Sequence, residues 1–352
     1  PFWRWPWFTY YPYPRLIMFV SPPKHIIISR TDSIGDVILT LPLAGLIKKE
    51  FPNCSISFIG QPYTQAVIER CNEVDQFISK ADFIVASATF EADAIIHVFP
   101  DLAVAKAAKK MNIHFRIGTT NRWFHWLYCN RLVRLSRRHS SLHEAQLNAQ
   151  LLKPILSATH YTLDQLAEAA SLDTAAATKF QLDQSKYHLI LHPTSKGSAR
   201  EWGMQNFEKL IRLLPKNLFT LYICGLKSDR AKLAPLLDQC DDEQIIDCTG
   251  KFNLNAYIDF IQATDGLIAN STGPLHIAAL SNKDAFGIYP PIKPMHPGRW
   301  APIGKHSHVF VLDKNCEDCR HSQEACACML AISPIAVADA IIKARQQKLD
   351  KR

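Results

Sequence analysis

Asp36 is the side chain of this sequence best suited to take a proton from a substrate hydroxyl. It ends a polar segment, residues 30–36, between the β-branched run at 25–28 and a helical pattern that begins at Val37. A carboxylate in the first turn of a helix is held ionised by free backbone N–H groups and the positive end of the helix dipole. Such a group can act as a general base at neutral pH. Stabilisation of the helix end alone is the simpler interpretation of this stretch.

Two loops further along the chain carry groups that could bind a diphosphate. The first contains Lys196, Gly197 and Arg200, and the second comprises residues 270–273, ahead of a helical pattern. Cations, free backbone amides and helix N-termini favour phosphate oxygens and would stabilise a departing nucleotide diphosphate without a metal. The sequence has no Asp-x-Asp element for a divalent ion, and we predict neither a metal nor another cofactor. Either loop alone is commonplace, and Lys196 is equally explained as a surface lysine.

Strands that alternate with helices must position these three segments. The predicted strands are 25–28, 54–60, 76–78, 94–98, 115–118, 188–192, 219–225, 244–248 and 266–269. This alternation predicts an α/β protein with two Rossmann-like, doubly wound parallel sheets. The candidate loops follow strand ends, which is where such sheets bind ligands.

A polar, Ala-rich stretch at 158–184 without a clear strand divides the chain. The expected parts are an aromatic and basic extension at 1–24, a first domain at 25–165, a linker at 166–185, a second domain at 186–332 and a terminal helical segment at 333–352. Two such domains in tandem leave a cleft between them as the natural ligand site.

A stretch at 116–143 interleaves arginines with aromatic residues, among them Arg122, Trp123 and Trp126. Arginine binds phosphate and carboxylate in bidentate geometry, so this stretch could contact an anionic acceptor or a membrane surface. A solvated helix face with its aromatic rings in the core is an equally good interpretation. No named nucleic-acid motif is present, and we predict no nucleic-acid partner.

The composition limits the class of protein further. A net charge of +8 favours an anionic partner. Six of the ten cysteines are scattered through apparent core and helix positions, which favours the cytoplasm over a secreted disulfide framework. No apolar run approaches the roughly 20 residues of a membrane span. The extension at 1–24 does not have the pattern of a signal peptide. Its aromatic residues could lie at a lipid headgroup layer. A disordered extension, or an upstream stretch included in the reading frame by mistake, is an equally good interpretation.

In its motifs the sequence resembles the ADP-heptose lipopolysaccharide heptosyltransferases of glycosyltransferase family 9. The resemblance extends in order from Lys24 to Arg345. The blocks that carry it are RTDSIGDVILTLP at 30–42, HPTSKGSAREW at 192–202, DCTGKFNLNAYIDFIQATDGLIANSTGPLHIAAL at 247–280 and IYPPIKPMHPGRWAPIG at 288–304.

The resemblance implies a GT-B architecture and inverting transfer of a sugar, expected to be heptose from ADP-heptose, onto a hydroxyl of the lipopolysaccharide core or lipid A acceptor. Asp36 would be the general base. Donor-binding residues would be Thr194, Lys196, Arg200, Asp229, Ser271, Thr272, Gly273 and His276. Acceptor-binding residues would be Arg30, Ser33, Gly35 and Arg122. The implied location is the cytoplasm, peripheral on the cytoplasmic face of the inner membrane.

Two features bear on how far the resemblance extends. The family usually has Asp before Thr/Ser-Gly, where it contacts the donor sugar, and this chain has Ser271. The tail clusters Cys316, Cys319, Cys326 and Cys328, which leaves both a structural zinc site and a disulfide open. As in GT-B enzymes generally, the terminal helix is expected to return to the first domain.

Other classes of protein share some of these sequence features. A non-catalytic nucleotide-sugar or glycan-binding protein could use the same scaffold, although the presence of Asp36 and Arg200 argues against it. A zinc-dependent nucleic-acid module would rest on the cysteine tail and the basic stretch. A nicotinamide oxidoreductase is disfavoured because neither strand–helix turn contains Gly-x-Gly-x-x-Gly.

Overall fold

The computed structural model describes residues 19, 21–85, 90–137, 140–158, 160–174, 179–195, 197–240, 242–293, 295–312 and 326–350. Across these residues the strands form two parallel sheets of six strands each, flanked by helices. This architecture confirms the predicted α/β class with two Rossmann-like domains.

The first sheet has the strand order β3-β2-β1-β4-β5-β6. Its strands are β1 His25–Ser29, β2 Ser55–Gly60, β3 Gln76–Ser79, β4 Ala94–His97, β5 Phe115–Thr119 and β6 Arg131–Val133. Its helices are α1 Ile34–Ile38, α2 Pro42–Glu50, α3 Gln65–Glu69, α4 Lys80–Val85, α5 Leu102–Lys110, α6 Trp123–Tyr128, α7 Glu144–Ala149 and α8 Leu163–Glu168. The β-branched residues of β1 are buried on both faces, as expected for a central parallel strand.

The second sheet has the order β12-β11-β10-β7-β8-β9. Its strands are β7 Tyr187–His192, β8 Phe219–Ile223, β9 Ile245–Asp247, β10 Gly266–Asn270, β11 Asp284–Ile288 and β12 Ser307–Phe310. The helices of this part are α9 Met204–Leu213, α10 Arg230–Leu237, α11 Leu254–Ala263, α12 Gly273–Leu280, α13 Pro297–Trp300, α14 Ala327–Leu330 and α15 Pro334–Leu349.

Each sheet reverses its strand order once, between β1 and β4 in the first and between β7 and β10 in the second. Ligands of doubly wound sheets bind outside the carboxyl ends of the strands at such a reversal. β1 leads into α1, whereas β7 and β10 lead into the loops before α9 and α12. All three candidate segments therefore begin at a reversal point.

The two domains pack directly against each other. One hydrophobic cluster contains buried residues of both, including Ile26 and Leu43 from the first and Ile261 and Leu275 from the second. A partly buried ion pair also crosses the interface, with Arg70 Nη1 2.5 Å from Asp259 Oδ1. These contacts fix the cleft between the domains.

The terminal helix α15 lies on the second domain. Its buried residues Val337, Ala338 and Ile341 belong to the same hydrophobic cluster as Leu210 of α9, and Lys348 at its end pairs with Asp265. The expectation that this helix returns to the first domain is therefore wrong. Its apolar side chains and its last cation both have partners in the second domain.

Candidate active site

Helices α1 and α12 begin next to each other across the cleft. A Cβ placed on Gly35 would lie 3.1 Å from Cδ2 of His276, and one on Gly273 would lie 3.1 Å from Cβ of Ile34. A Cβ at either position would require the neighbouring side chain to shift, so glycine favours this close approach. As a result, the first turn of α1, which carries Asp36, meets the loop at 271–273 that the sequence assigned to the donor.

The carboxylate of Asp36 is held at both oxygens. Arg30 Nη2 donates to Oδ1, and the hydroxyl of Ser33, the N-cap residue of α1, donates to Oδ2. The Asp36 side chain keeps 18% of its surface exposed. An oriented, partly exposed carboxylate at a cleft is the geometry that a general base requires.

Arg30 is buried, with only 4% of its side chain exposed. Its Nε donates to Asp32 at 2.7 Å and its Nη1 to Glu144 at 3.2 Å, in addition to the bond to Asp36. Burial lowers the pKa of the guanidinium, but the carboxylates of Asp36, Asp32 and Glu144 more than offset this, so that the pKa lies above its ordinary value. Arg30 is thus a permanent cation that faces carboxylates of its own chain.

Asp32 lies beside Asp36 and shares Arg30 with it. Burial raises the pKa of Asp32 to about 6 against the lowering effect of Arg30, and the charge of Asp36 adds to the rise. The exposed Tyr63 donates its hydroxyl to the backbone oxygen of Asp32 at 2.7 Å. A second carboxyl group and a tyrosine therefore border the site that Asp36 occupies.

Glu144 is a buried carboxylate bound by three arginines. It accepts from Arg30 Nη1, from Arg137 Nε at 3.0 Å and from Arg299 Nη2 at 2.6 Å, and its side chain is 1% exposed. Burial alone would raise the pKa of Glu144, but the charges of Arg137, Arg30 and Arg299 lower it below the ordinary value. Since Arg299 belongs to the second domain, this cluster links that domain to Arg30.

The loop after β7 is anchored by Asn270 at the end of β10. The fully buried Asn270 donates from Nδ2 to the oxygen of Pro193 at 2.7 Å and accepts from the backbone N–H of Trp202 at 2.9 Å. Both ends of the loop are thereby fixed to the neighbouring strand. Arg200 stands half-buried near the end of this loop, and Lys196 lies outside the described residues.

Thr194 and Asp229 are brought together on the opposite side of the same loop. Thr194 Oγ1 donates to Asp229 Oδ2 at 3.0 Å, and the backbone N–H of Leu226 donates to the same oxygen at 2.9 Å. Gly250, in the loop after β9, adopts φ +70, and a Cβ there would lie 3.1 Å from Cα of Lys227, so glycine is favoured where that loop touches the loop of Asp229. The predicted donor residues at 194 and 229 thus share one wall of the crevice.

The N-cap residue and the first turn of α12 contain buried polar atoms that have no hydrogen-bond partner among the described residues. These are Oγ1 of Thr272 and Nδ1 of His276. Burial, with a further contribution from the charge of His143, lowers the pKa of His276 to about 3, so its ring is neutral at physiological pH. Ser271 is half-buried and interacts with the hydroxyl of Tyr289. Unpartnered polar atoms at a helix N-terminus can receive a bound ligand.

The remaining predicted residues lie away from the contact between α1 and α12. Arg122 is an exposed residue at the N-cap of α6, beyond the carboxyl end of β5. Cys316 and Cys319 lie outside the described residues, while Cys326 and Cys328 are buried.

In the ranges given above, no three His, Cys, Asp or Glu side chains are close enough to bind a metal ion. Nor does any helix in those ranges have the length and apolar character to cross a membrane.

Two facing Rossmann-like domains with their strand ends at a common cleft define the GT-B class of glycosyltransferases. A model of glycosyltransferase family 9 (heptosyltransferase) matches residues 89–330. The chain belongs to this family and is a glycosyltransferase.

Comparisons with individual proteins agree with this assignment. The chain is 24% identical to a Haemophilus influenzae protein designated only as a glycosyltransferase, over 80% of this chain and 86% of that one. It is 20% identical to lipooligosaccharide heptosyltransferase 2 of the same organism, over 77% and 85%. The E. coli ADP-heptose lipopolysaccharide heptosyltransferase II has the same fold, with a TM-score of 0.72 at 15% identity, over 92% of this chain and 99% of that one.

Sequence reasoning placed Asn270 in the second candidate loop, but not its side-chain bonds to the loop after β7. It missed Glu144 and Arg299 as parts of the site. Neither had a local signal, since each is an ordinary charged residue within its own segment and they meet only in the folded chain.

Proposed function

We propose that the protein transfers a heptose from ADP-heptose onto a hydroxyl of the lipopolysaccharide inner core, with inversion at the anomeric carbon. The observation that carries this proposal is the contact between the first turns of α1 and α12. It places the Asp36 carboxylate of the first domain beside the loop at 271–273 of the second domain, which we expect to bind the diphosphate. Membership of family 9 supports the reaction class.

In the proposed reaction, Asp36 removes the proton of the acceptor hydroxyl as its oxygen attacks the anomeric carbon of the donor. The bond between that carbon and the diphosphate oxygen breaks, and the nucleoside diphosphate leaves with the bonding electrons. Arg30 and Ser33 keep the carboxylate aimed at the acceptor. General-base assistance of this kind contributes about a hundredfold to ten-thousandfold in rate.

The donor is proposed to lie along the second domain. The N-terminus of α12, with Thr272, Gly273 and His276, would bind the diphosphate together with Lys196 and Arg200, because backbone N–H groups and cations stabilise a leaving phosphate. Thr194 and Asp229 would contact the ribose. The bond between their side chains leaves one oxygen of Asp229, Oδ1, for a ribose hydroxyl.

Ser271 is the position at which the sugar would be selected. A hydroxyl can donate to and accept from a sugar hydroxyl, but it lacks the charge of the aspartate usual in the family, and charged hydrogen bonds are roughly twice as strong. The Ser271→Asp variant is therefore expected to bind ADP-heptose more tightly than the wild type, with ADP itself bound equally well.

On the acceptor side, Ser33, Gly35 and Arg122 are proposed to border the incoming glycan. Arg30 is proposed to act through Asp36, because all of its nitrogens face carboxylates and its side chain is buried. The enzyme would work in the cytoplasm at the inner membrane, where the lipid-linked acceptor is held.

The test is calorimetric titration with ADP, UDP and GDP, followed by transfer assays with ADP-heptose and ADP-hexose on a lipid A core acceptor. We expect ADP to bind most tightly and heptose to be transferred faster than hexose. Preferred binding of UDP or GDP would contradict the assigned donor. Absence of nucleotide binding would contradict the site itself.

A further inference from the structure

Helix α6 turns its two tryptophans and a leucine outward. Trp123 is 68% exposed, Trp126 60% and Leu127 55%, whereas Phe124 and His125 between them are buried. The indole N–H of Trp126 donates to the oxygen of Thr120 at 3.1 Å, which fixes the orientation of that ring. Two adjacent exposed tryptophans and a leucine form an apolar surface, which we name the α6 surface.

All of the charged lysine, arginine, aspartate and glutamate positions around the α6 surface in the sequence are lysine or arginine. Residues 102–143 contain nine lysines and arginines and no aspartate or glutamate. The exposed cations among them are Lys106, Lys109, Lys110, Arg122, Arg131 and Arg134. Lys109 Nζ donates to the backbone oxygen of Leu127 at 2.9 Å, so the basic face of α5 is joined directly to α6.

Exposed indole rings beside a cluster of cations are the chemistry of the interface between water and an anionic bilayer. Tryptophan concentrates at the headgroup level of membranes. Each lysine or arginine near an anionic leaflet contributes about 1 kcal/mol of binding, or roughly a fivefold change in partitioning. Nucleic acid would also attract the cations, but its phosphate backbone offers no acyl layer for the rings.

We propose that the α6 surface docks this protein on an anionic phospholipid bilayer. This inference deepens the proposed function, because it supplies the surface that would hold the enzyme beside a lipid-linked acceptor. α6 begins directly after the loop at the carboxyl end of β5, the same edge of the sheet from which α1 and Asp36 project. Docking through α6 would therefore leave the acceptor side of the cleft close to the headgroups.

The experiment is co-sedimentation of the full chain with phosphatidylcholine vesicles that do or do not contain phosphatidylglycerol. Trp123→Ala combined with Trp126→Ala is expected to lower the partition coefficient by about tenfold or more. Arg131→Gln combined with Arg134→Gln is expected to lower it by roughly 25-fold, and only on vesicles with phosphatidylglycerol.

Matched controls come from exposed residues of the second domain. Lys209→Gln with Arg212→Gln removes the same charge from α9, and Ile335→Ala removes an apolar side chain that is 61% exposed. Both should partition like the wild type. Equal partitioning of the α6 variants and the wild type would overturn the proposal, as would wild-type binding to a nucleic-acid duplex but not to vesicles. Because vesicle binding is measured without a donor, its outcome is independent of sugar transfer.

Discussion

Arg299 of the second domain donates from Nη2 to Oε2 of Glu144 in the first domain at 2.6 Å. The same carboxylate accepts from Arg30, which holds Asp36. His143, the residue before Glu144, has its Nε2 2.8 Å from the oxygen of Ala301. The N-terminus of α7 therefore connects the packing of the two domains to the orientation of the carboxylate at the cleft.

From this connection we expect Glu144→Gln to lower kcat by about tenfold to a hundredfold, because a small displacement of a catalytic group has that effect. The Kd for ADP should stay close to that of the wild type, since the donor residues lie on the other domain. Steady-state transfer kinetics and calorimetry give the two values.

Asp259→Asn is the matched control for Glu144→Gln. It also removes a buried carboxylate that pairs with an arginine across the interface, but the ion pair and hydrogen bond described for Arg70 go to Asp259 and Asn255 and not to Asp36. The control should be less stable than the wild type and keep most of its kcat. A similar loss of kcat in both variants would mean that Glu144 supports domain packing alone.

Asn270 is expected to support both the fold and donor binding. Asn270→Ala would leave the oxygen of Pro193 and the N–H of Trp202 buried without partners, at a cost of about 2–4 kcal/mol in the free energy of unfolding. The Kd for ADP should rise, because the loop at 193–200 loses its anchor. Urea denaturation and calorimetry measure the two effects.

Asn253→Ala serves for comparison with Asn270→Ala, since Asn253 caps α11 at its N-terminus with one bond to the N–H of Ala256. Loss of such a cap should destabilise by about 1 kcal/mol. Equal effects of the two substitutions on stability and on ADP binding would refute the anchoring role of Asn270.

His97, at the end of β4, makes the stability of the protein depend on pH. It is fully buried, and neither ring nitrogen has a hydrogen-bond partner among the described residues. Burial, with a contribution from the charge of His125, lowers the pKa of His97 from 6.5 to about 3. The unfolded chain therefore takes up a proton that the native protein does not. Above pH 6.5 the His97 ring is neutral in both states and does not lower the free energy of unfolding. As the pH falls from 6.5 towards 3, protonation of His97 in the unfolded chain progressively lowers that free energy.

We expect His97→Leu to reduce the pH dependence of the free energy of unfolding by about 1.4 kcal/mol per pH unit in this window. Urea denaturation at several pH values measures the slope. His160→Leu, which replaces an exposed histidine, should leave the slope unchanged. An unchanged slope for His97→Leu would show that this ring is protonated in the native protein.

The sequence was informative where a site is built from one short segment. The turn from β1 to Asp36 and the loop before α12 could be predicted because a strand, a polar turn and a helix follow each other within a few residues. Strands such as Asp284–Ile288 were missed because a Gly and an Asp interrupt the apolar pattern. The three-residue β6 is too short to produce a pattern at all.

Other features depend on contacts that no local pattern encodes. Glu144 and Arg299 are 155 residues apart in the chain. The outward rings of Trp123 and Trp126 could not be told from core residues, because the sequence does not say which side of a six-residue helix faces the sheet. The docking of α15 was misjudged because its apolar side chains suit either domain, and only the partners Leu210 and Asp265 decide between them.

The most direct test of the account is the rate of sugar transfer by Asp36→Asn, measured together with its affinity for ADP. The amide oxygen can still accept from Arg30, and the amide NH2 can donate to the Ser33 hydroxyl, but the side chain cannot take the proton. We therefore expect kcat to fall by about a hundredfold to ten-thousandfold. Binding of ADP should be unchanged. Asp164→Asn, an exposed acidic residue in the first turn of α8, should retain full activity. Transfer by Asp36→Asn at the wild-type rate would contradict the role of Asp36 as the general base.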